Sequence, residues 1–136
     1  MDFAKIADEI AQDEQIATVP IENKNGDPYL ASDGSQSTIS VVGSESTRVQ
    51  HAKDVQTRRL LRSTRRKLEP KDLRENRIEI AAAAVVEWHG WEMNGEAWPC
   101  TPENAKKLLG AEHILVQVEE AVSRHSTFFT SSSPTS

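Results

Sequence analysis

The sequence predicts an α+β fold: a small N-terminal antiparallel β region followed by a mainly α-helical bundle. Two observations carry this. Between residues 16 and 43, short β-branched runs are separated by Asn25-Gly26 and Asp33-Gly34, both turn signals. Beyond residue 44, apolar residues recur at helical spacing, interrupted only by Pro70, a tryptophan-rich segment and Gly110.

Four regions follow. Residues 1–15 place Phe3, Ile6, Ala7, Ile10 and Ala11 at helical spacing, with Asp8, Glu9, Asp13 and Glu14 mostly opposite. This is a short, acidic, amphipathic helix that needs a surface to fold against. Residues 16–43 form the small sheet, two or three strands lying between Ile16 and Val42. Residues 44–129 are the helical domain with a Trp-rich hairpin. Residues 130–136 belong to a disordered Ser/Thr-rich tail that begins near Ser126, although Phe128-Phe129 can dock.

Within the helical domain, Ser44 is the expected cap of a basic helix running to Leu68. Glu69-Pro70 breaks it, and Pro70 opens the next helix. Leu73, Arg77, Ile80, Ala81, Ala84, Val85 and Trp88 fall on one face of that second helix. Ile80 to Val86 is apolar all round, which marks it as the central buried helix, ended by Gly90. Glu87 to Cys100 is a loop or hairpin around Asn94-Gly95. Thr101-Pro102-Glu103 restarts a helix, which stops at Gly110. Ala111, Ile114, Leu115, Val118, Ala121 and Val122 then define a last amphipathic helix. No internal repeat is visible.

Composition bounds the function. The 136 residues suit one domain, and 37% hydrophobic against 27% charged residues is slightly apolar-poor for a globule, which leaves room for a tail. The single cysteine, Cys100, excludes an intramolecular disulfide and fits a reducing compartment. No apolar run reaches the roughly 20 residues of a membrane helix, and the start lacks the pattern of a secretory signal. A cytoplasmic protein is expected.

Chemistry-bearing motifs are scarce. His51, His89, His113 and His125 form no i, i+4 pair beside a carboxylate, so no metal site is expected. There is no phosphate-binding glycine loop and no nucleophile elbow. Cys100, eleven residues from His89, reads as a small, partly buried residue before a helix cap rather than a nucleophile. Neither cofactor nor enzymatic activity is expected.

Two features remain for partner binding. From Arg48 to Arg77, eleven basic residues face four acidic ones, within a chain of net charge −5. Arg58, Arg62, Arg65 and Arg66 lie near one helical face. That stripe can pair with acids of the chain itself, dock an acidic protein or neutralise phosphates. The second feature is Trp88, Trp91 and Trp98, three of seven aromatic residues within eleven positions. They either plug the core, each indole N–H finding an acceptor, or anchor a partner.

Glu87-Trp88-His89-Gly90, then Gly95 and Pro99, then Thr101 to Leu109 and a helix closing on Phe128-Phe129 make an ordered set. With Asn25-Gly26-Asp27 and the Gly43-Ser44-Glu45-Ser46 step into a basic helix, this order resembles that of tail assembly chaperones of long-tailed bacteriophages, over Val19 to Phe129. After Gly110, Ala111-Glu112-His113 replaces an aromatic, proline-rich step. The resemblance implies a non-enzymatic protein of the host cytoplasm during phage assembly. It would bind the tape measure protein, keep its helices soluble, help recruit tail tube subunits, and be absent from the mature virion. Candidate partner-binding residues are the three tryptophans with Leu108, Leu109, Ile114, Leu115, Val118 and Val122, and the four arginines of the stripe. A homo-oligomer stays open, as do a minor structural virion protein and a nucleic-acid-binding regulator using residues 48–68.

Overall fold

Strand β2 (Thr38–Val41) is the centre of a three-stranded antiparallel sheet, between β1 (Ala17–Pro20) and β3 (Val85–His89). The computed structural model describes residues 16–62 and 69–131, with side chains as far as Arg124. The expected N-terminal helix, the end of the basic helix with Arg65 and Arg66, and residues 132–136 lie outside the described residues. The α+β class is as expected. No described helix is long and apolar enough to cross a membrane.

Register explains the burial of β2. Ala17 pairs with Val41, and Val41 with Val85; Val19 pairs with Ile39, and Ile39 with Trp88. Ile39 and Val41 are fully buried on one face, as strand alternation requires. Ser40 points to the other face and shares a 3.0 Å hydrogen bond with the Thr18 hydroxyl.

The third strand departs from the sequence reading. Helix α1 spans Thr47–Arg62 and α2 spans Pro70–Ala84. Helix α2 was expected to continue towards Gly90, but at Val85 the backbone turns extended (φ −74°, ψ 124°) and becomes β3. An apolar run cannot separate buried helix from buried strand by periodicity. Here β-branched Val85 and Val86 favour the strand, and the open edge of β2 supplies the hydrogen-bonding partner. The Val42 N–H reaches the Ala84 carbonyl at 2.9 Å across the junction. The register shifts between Ser40 and Val41, leaving Val86 as the extra residue of a bulge.

Helix starts follow capping chemistry, with one correction. Ser46, not Ser44, caps α1: its buried hydroxyl accepts from the Val49 N–H at 3.4 Å. At α2, the Asp72 carboxylate accepts from the Glu69 N–H at 3.0 Å, and Pro70 opens the helix. Beyond Gly90, β4 (Glu92–Met93) and β5 (Glu96–Ala97) form a hairpin. Its Asn94 and Gly95 have φ of 55° and 83°, the two positive values that a type I′ turn demands. Helix α3 (Pro102–Leu108) is capped by Thr101 as expected, the Asn104 N–H donating to Oγ1 at 3.1 Å.

The chain between β1 and β2 holds a repeat that the sequence reading missed. Two lobes, tipped at Gly26 and Gly34, repeat one hydrogen-bond pattern eight residues apart. Asn23 N–H bonds Asp27, as Ala31 N–H bonds Ser35; Gly26 bonds back to Asn23, as Gly34 does to Ala31. Their bases meet in a ring. Ile21 N–H donates to Ser37, Ser37 N–H to Tyr29, and Tyr29 N–H to Ile21.

Helix α4 (Glu112–Ser131) closes the core by packing on β1, β2 and α2. Leu109, Ile114, Leu115, Val118, Ala121 and Val122 join Ile21, Ile39, Val41, Val49 and the alanines of α2. The helix continues through the Ser126–Ser131 backbone, where the sequence had been read as tail.

Candidate functional site

The tryptophans sit where hydrogen bonds hold them. The Trp88 indole N–H donates to the Trp98 carbonyl at 2.7 Å, and Trp91 to the Thr38 carbonyl at 3.0 Å. The Trp88 and Trp98 rings lie 5.3 Å apart, and Tyr29 lies 5.4 Å from Trp91. All three indoles are half-buried, and Trp88 and Trp91 pack on the core. Trp88 and Trp91 clamp the hairpin to the sheet, as the plug arrangement requires, while the Trp98 ring packs on Trp88. Leu109, Ile114, Leu115 and Val118 are at most 3% exposed, so as placed they present no surface to a partner. Leu108 is half-buried against the core; Val122, 7% exposed, also lines a groove.

The basic middle is partly spent within the chain. Arg59 grips Glu79 with two contacts of 3.2 and 3.3 Å, and Gln56 donates to the Asn76 carbonyl at 2.8 Å, joining α1 to α2. Arg74 reaches Glu112 at 3.0 Å, and Arg77 bridges Glu112 and Glu119 at 3.1 and 2.6 Å, joining α2 to α4. Glu119 and Glu112 hold the Arg77 guanidinium above its ordinary value. Burial works against the Glu79 charge, but Arg59 and Gln56 outweigh it and lower its pKa. Arg58 and Arg62 are exposed on α1.

Polar clusters on the lobes fix turns rather than reacting groups. Ser35 Oγ donates to Asp33 at 2.5 Å while His89 Nε2 stands 2.8 Å from the same oxygen. With the Ser35 proton on Asp33, His89 is the donor to Ser35, which is the wrong direction for a general base. This also turns His89 to Ser35 rather than to Cys100. Ser35 donors hold Asp33, and Ser32 donors hold Glu92, below the usual carboxylate range. His113 Nε2 lies 2.6 Å from the Tyr29 hydroxyl, and its buried Nδ1 has no partner among the described residues. Among the described residues, no three His, Cys, Asp or Glu side chains cluster to hold a metal.

Recessed surface lies on both sides of the α1–α2 contact. One groove, about 570 Å³, runs between α1, α2 and α4. Leu73, Ile80, Ala81 and Val122 make it apolar, and the Arg77–Glu119 pair crosses its rim. The second, about 310 Å³, lies between α1, the α2–β3 junction and α3. Ala82, Ala83 and Val86 floor it; Arg48, Arg59 and Lys106 stand around it with Glu79 as the one acid. Cys100 opens into this second groove, and burial pushes its thiol pKa up.

Of the helical face expected in the core, Ala81 is buried and Ile80 packs against it, but Leu73 stands out. Leu73 is 52% exposed. Arg48, Lys106 and Cys100 were not read together, because only the folded α1–α3 geometry makes them neighbours. Compared with protein-family models, with curated proteins and with solved structures, the chain matches none.

Proposed function

We propose that this protein is a tail assembly chaperone of a long-tailed phage, holding helical segments of the tape measure protein and helping to recruit tail tube subunits. The observation that carries the reading is the apolar groove between α1, α2 and α4. An amphipathic helix binds a protein by laying its apolar face into such a groove. Half-exposed Leu73 stands in the groove lining beside Ile80, a ready contact for a client helix. The order of sequence motifs from Trp88 to Leu109 adds the phage assignment, and the groove adds a means of holding clients.

Co-expression with the tape measure protein tests this. The wild-type chain is expected to raise the soluble fraction of the client several-fold. Leu73→Asp is expected to abolish that gain while leaving the chaperone's own thermal melt nearly unchanged, because Leu73 is already half in water. A client equally soluble with and without this protein would sink the chaperone reading. Stoichiometric recovery of the chain from purified virions would favour a structural virion protein instead.

A further inference from the structure

The second groove combines an apolar middle with charge at its two ends. On α1, Arg48, Ala52, Val55 and Arg59 line it at i, i+4, i+7 and i+11, a single helical stripe. That stripe is roughly 16 Å long, about three helical turns. Helix α3 contributes Pro102, Ala105 and Lys106, and Ala82, Ala83 and Val86 make the floor.

The cations are divided between the ends. Arg48 lies at one, where its charge acts on the Cys100 thiol. Arg59 and Lys106 lie at the other, where both act on Glu79. Glu79 is the one acid among the lining residues, and Arg59 is paired with it. Among the described residues, neither Arg48 nor Lys106 has a carboxylate in ion-pair contact. The lining therefore keeps an excess positive charge at each end, within a chain of net charge −5. In the groove beside α4, by contrast, Arg77 is already neutralised by Glu112 and Glu119.

This pattern discriminates between occupants. A nucleic acid is held by cations tracking its phosphates and by aromatic rings on which bases stack. Here the middle is apolar, and no Phe, Trp or Tyr lines the groove. An amphipathic helix meets both requirements: its apolar face covers the floor, and carboxylates near its ends meet the cations.

We propose that the groove between α1, the α2–β3 junction and α3 docks an amphipathic helix of a partner protein, about three turns long, with its apolar face on Ala82, Ala83 and Val86 and an acidic residue near each end for Arg48 and Lys106. This stands independently of the chaperone reading, which rests on the other groove.

Cys100, the chain's single cysteine, lines the groove and serves as the tether. Three synthetic peptides of about eleven residues match the length of the stripe, each carrying one cysteine. The first is an amphipathic helix with Glu near both ends. The second has Lys in place of those Glu residues. The third has the composition of the first with its apolar residues scrambled. Each is equilibrated with the full-length protein in a thiol–disulfide redox buffer, and the mixed disulfide at Cys100 is measured by mass spectrometry. The first peptide is expected to be captured at least about ten times more than either of the others. Arg48→Glu with Lys106→Glu is expected to invert the order of the Glu and Lys peptides. Both side chains are exposed, so the fold is expected to hold. Capture of none, equal capture of all three, or capture of the scrambled peptide as readily as the first would overturn the proposal. A double variant that keeps the wild-type order would do the same. A second readout needs no disulfide: fluorescence anisotropy of the dye-labelled Glu peptide, beside a short DNA duplex. Tighter binding of the duplex, falling steeply with salt, would assign the groove to phosphates and overturn the proposal. A dimer of this protein that dissociates on the same double substitution would assign the groove to a second copy, and equally overturn it.

Discussion

Helices α1 and α4 are the two longest described, 16 and 20 residues, and they are held in opposite ways. In α1 only Val49 is fully buried, and polar contacts from Gln56 and Arg59 tie the helix to α2. In α4, Ile114, Leu115, Val118, Ala121 and Val122 all enter the core over the sheet. Apolar burial fixes α4, since it scales with area removed from water. Exposed ion pairs and single hydrogen bonds hold α1 far less tightly. The difference teaches where surface is available. Both grooves flank the lightly packed helix, whereas the tightly packed one contributes mainly a wall.

The contrast can be broken most directly by truncation. Leu115→Ala is expected to cost about 2–5 kcal/mol, as for buried leucines generally, while Leu61→Ala on α1 stays within about 0.5 kcal/mol. Leu115 is fully buried and Leu61 is 68% exposed. Urea unfolding of both variants measures the gap, and similar losses would end the distinction. Next in size is Gly90→Ala. Gly90 has φ +82°, and an added Cβ would stand 2.9 Å from Ser37 Oγ and 3.0 Å from Ser37 Cα. A loss of about 1–3 kcal/mol is expected, because left-handed backbone strain adds to a clash with the strand side of the core.

The smallest effect sharpens the comparison on its polar side. Asp33 and Glu92 have folded pKa values below the ordinary carboxylate value, through Ser35 and Ser32 donors respectively. Their contribution is therefore complete above the unfolded pKa, about 4, and is lost as pH falls through the lowered folded values. Thermal melts from about pH 6 to pH 3 are expected to drop gradually, with Ser32→Ala weakening the slope. A variant with the wild-type slope would remove Glu92 from the account.

Local chemistry was legible wherever it was self-contained. Thr101 caps α3, Asn94-Gly95 makes its hairpin turn, and the stripe from Ile114 to Val122 faces the core. Each depends on residues within one turn or one helical face. What escaped reading depended on distant partners. Val85 to His89 is a strand because β2, more than forty residues earlier in the chain, offers it an edge. Residues of both grooves escaped as well, because grooves arise from the crossing of α1 and α2 rather than from any one element. The eight-residue repeat left only a faint trace, Gly26 and Gly34 at matching lobe tips.

That repeat has a mechanical consequence. The ring through Ile21, Tyr29 and Ser37 ties off each lobe at its base, so the fold registers each lobe as a knot and not as a length of string. Ser32 tethers the second lobe to Glu92, but no side chain stands within 4 Å of where a Cβ on Gly26 would lie. The first tip is thus a handle: a peptide tag spliced between Lys24 and Asn25 lengthens a loop already closed below it, a change that costs little entropy. Such a tag would let the protein be tethered or labelled without touching either groove.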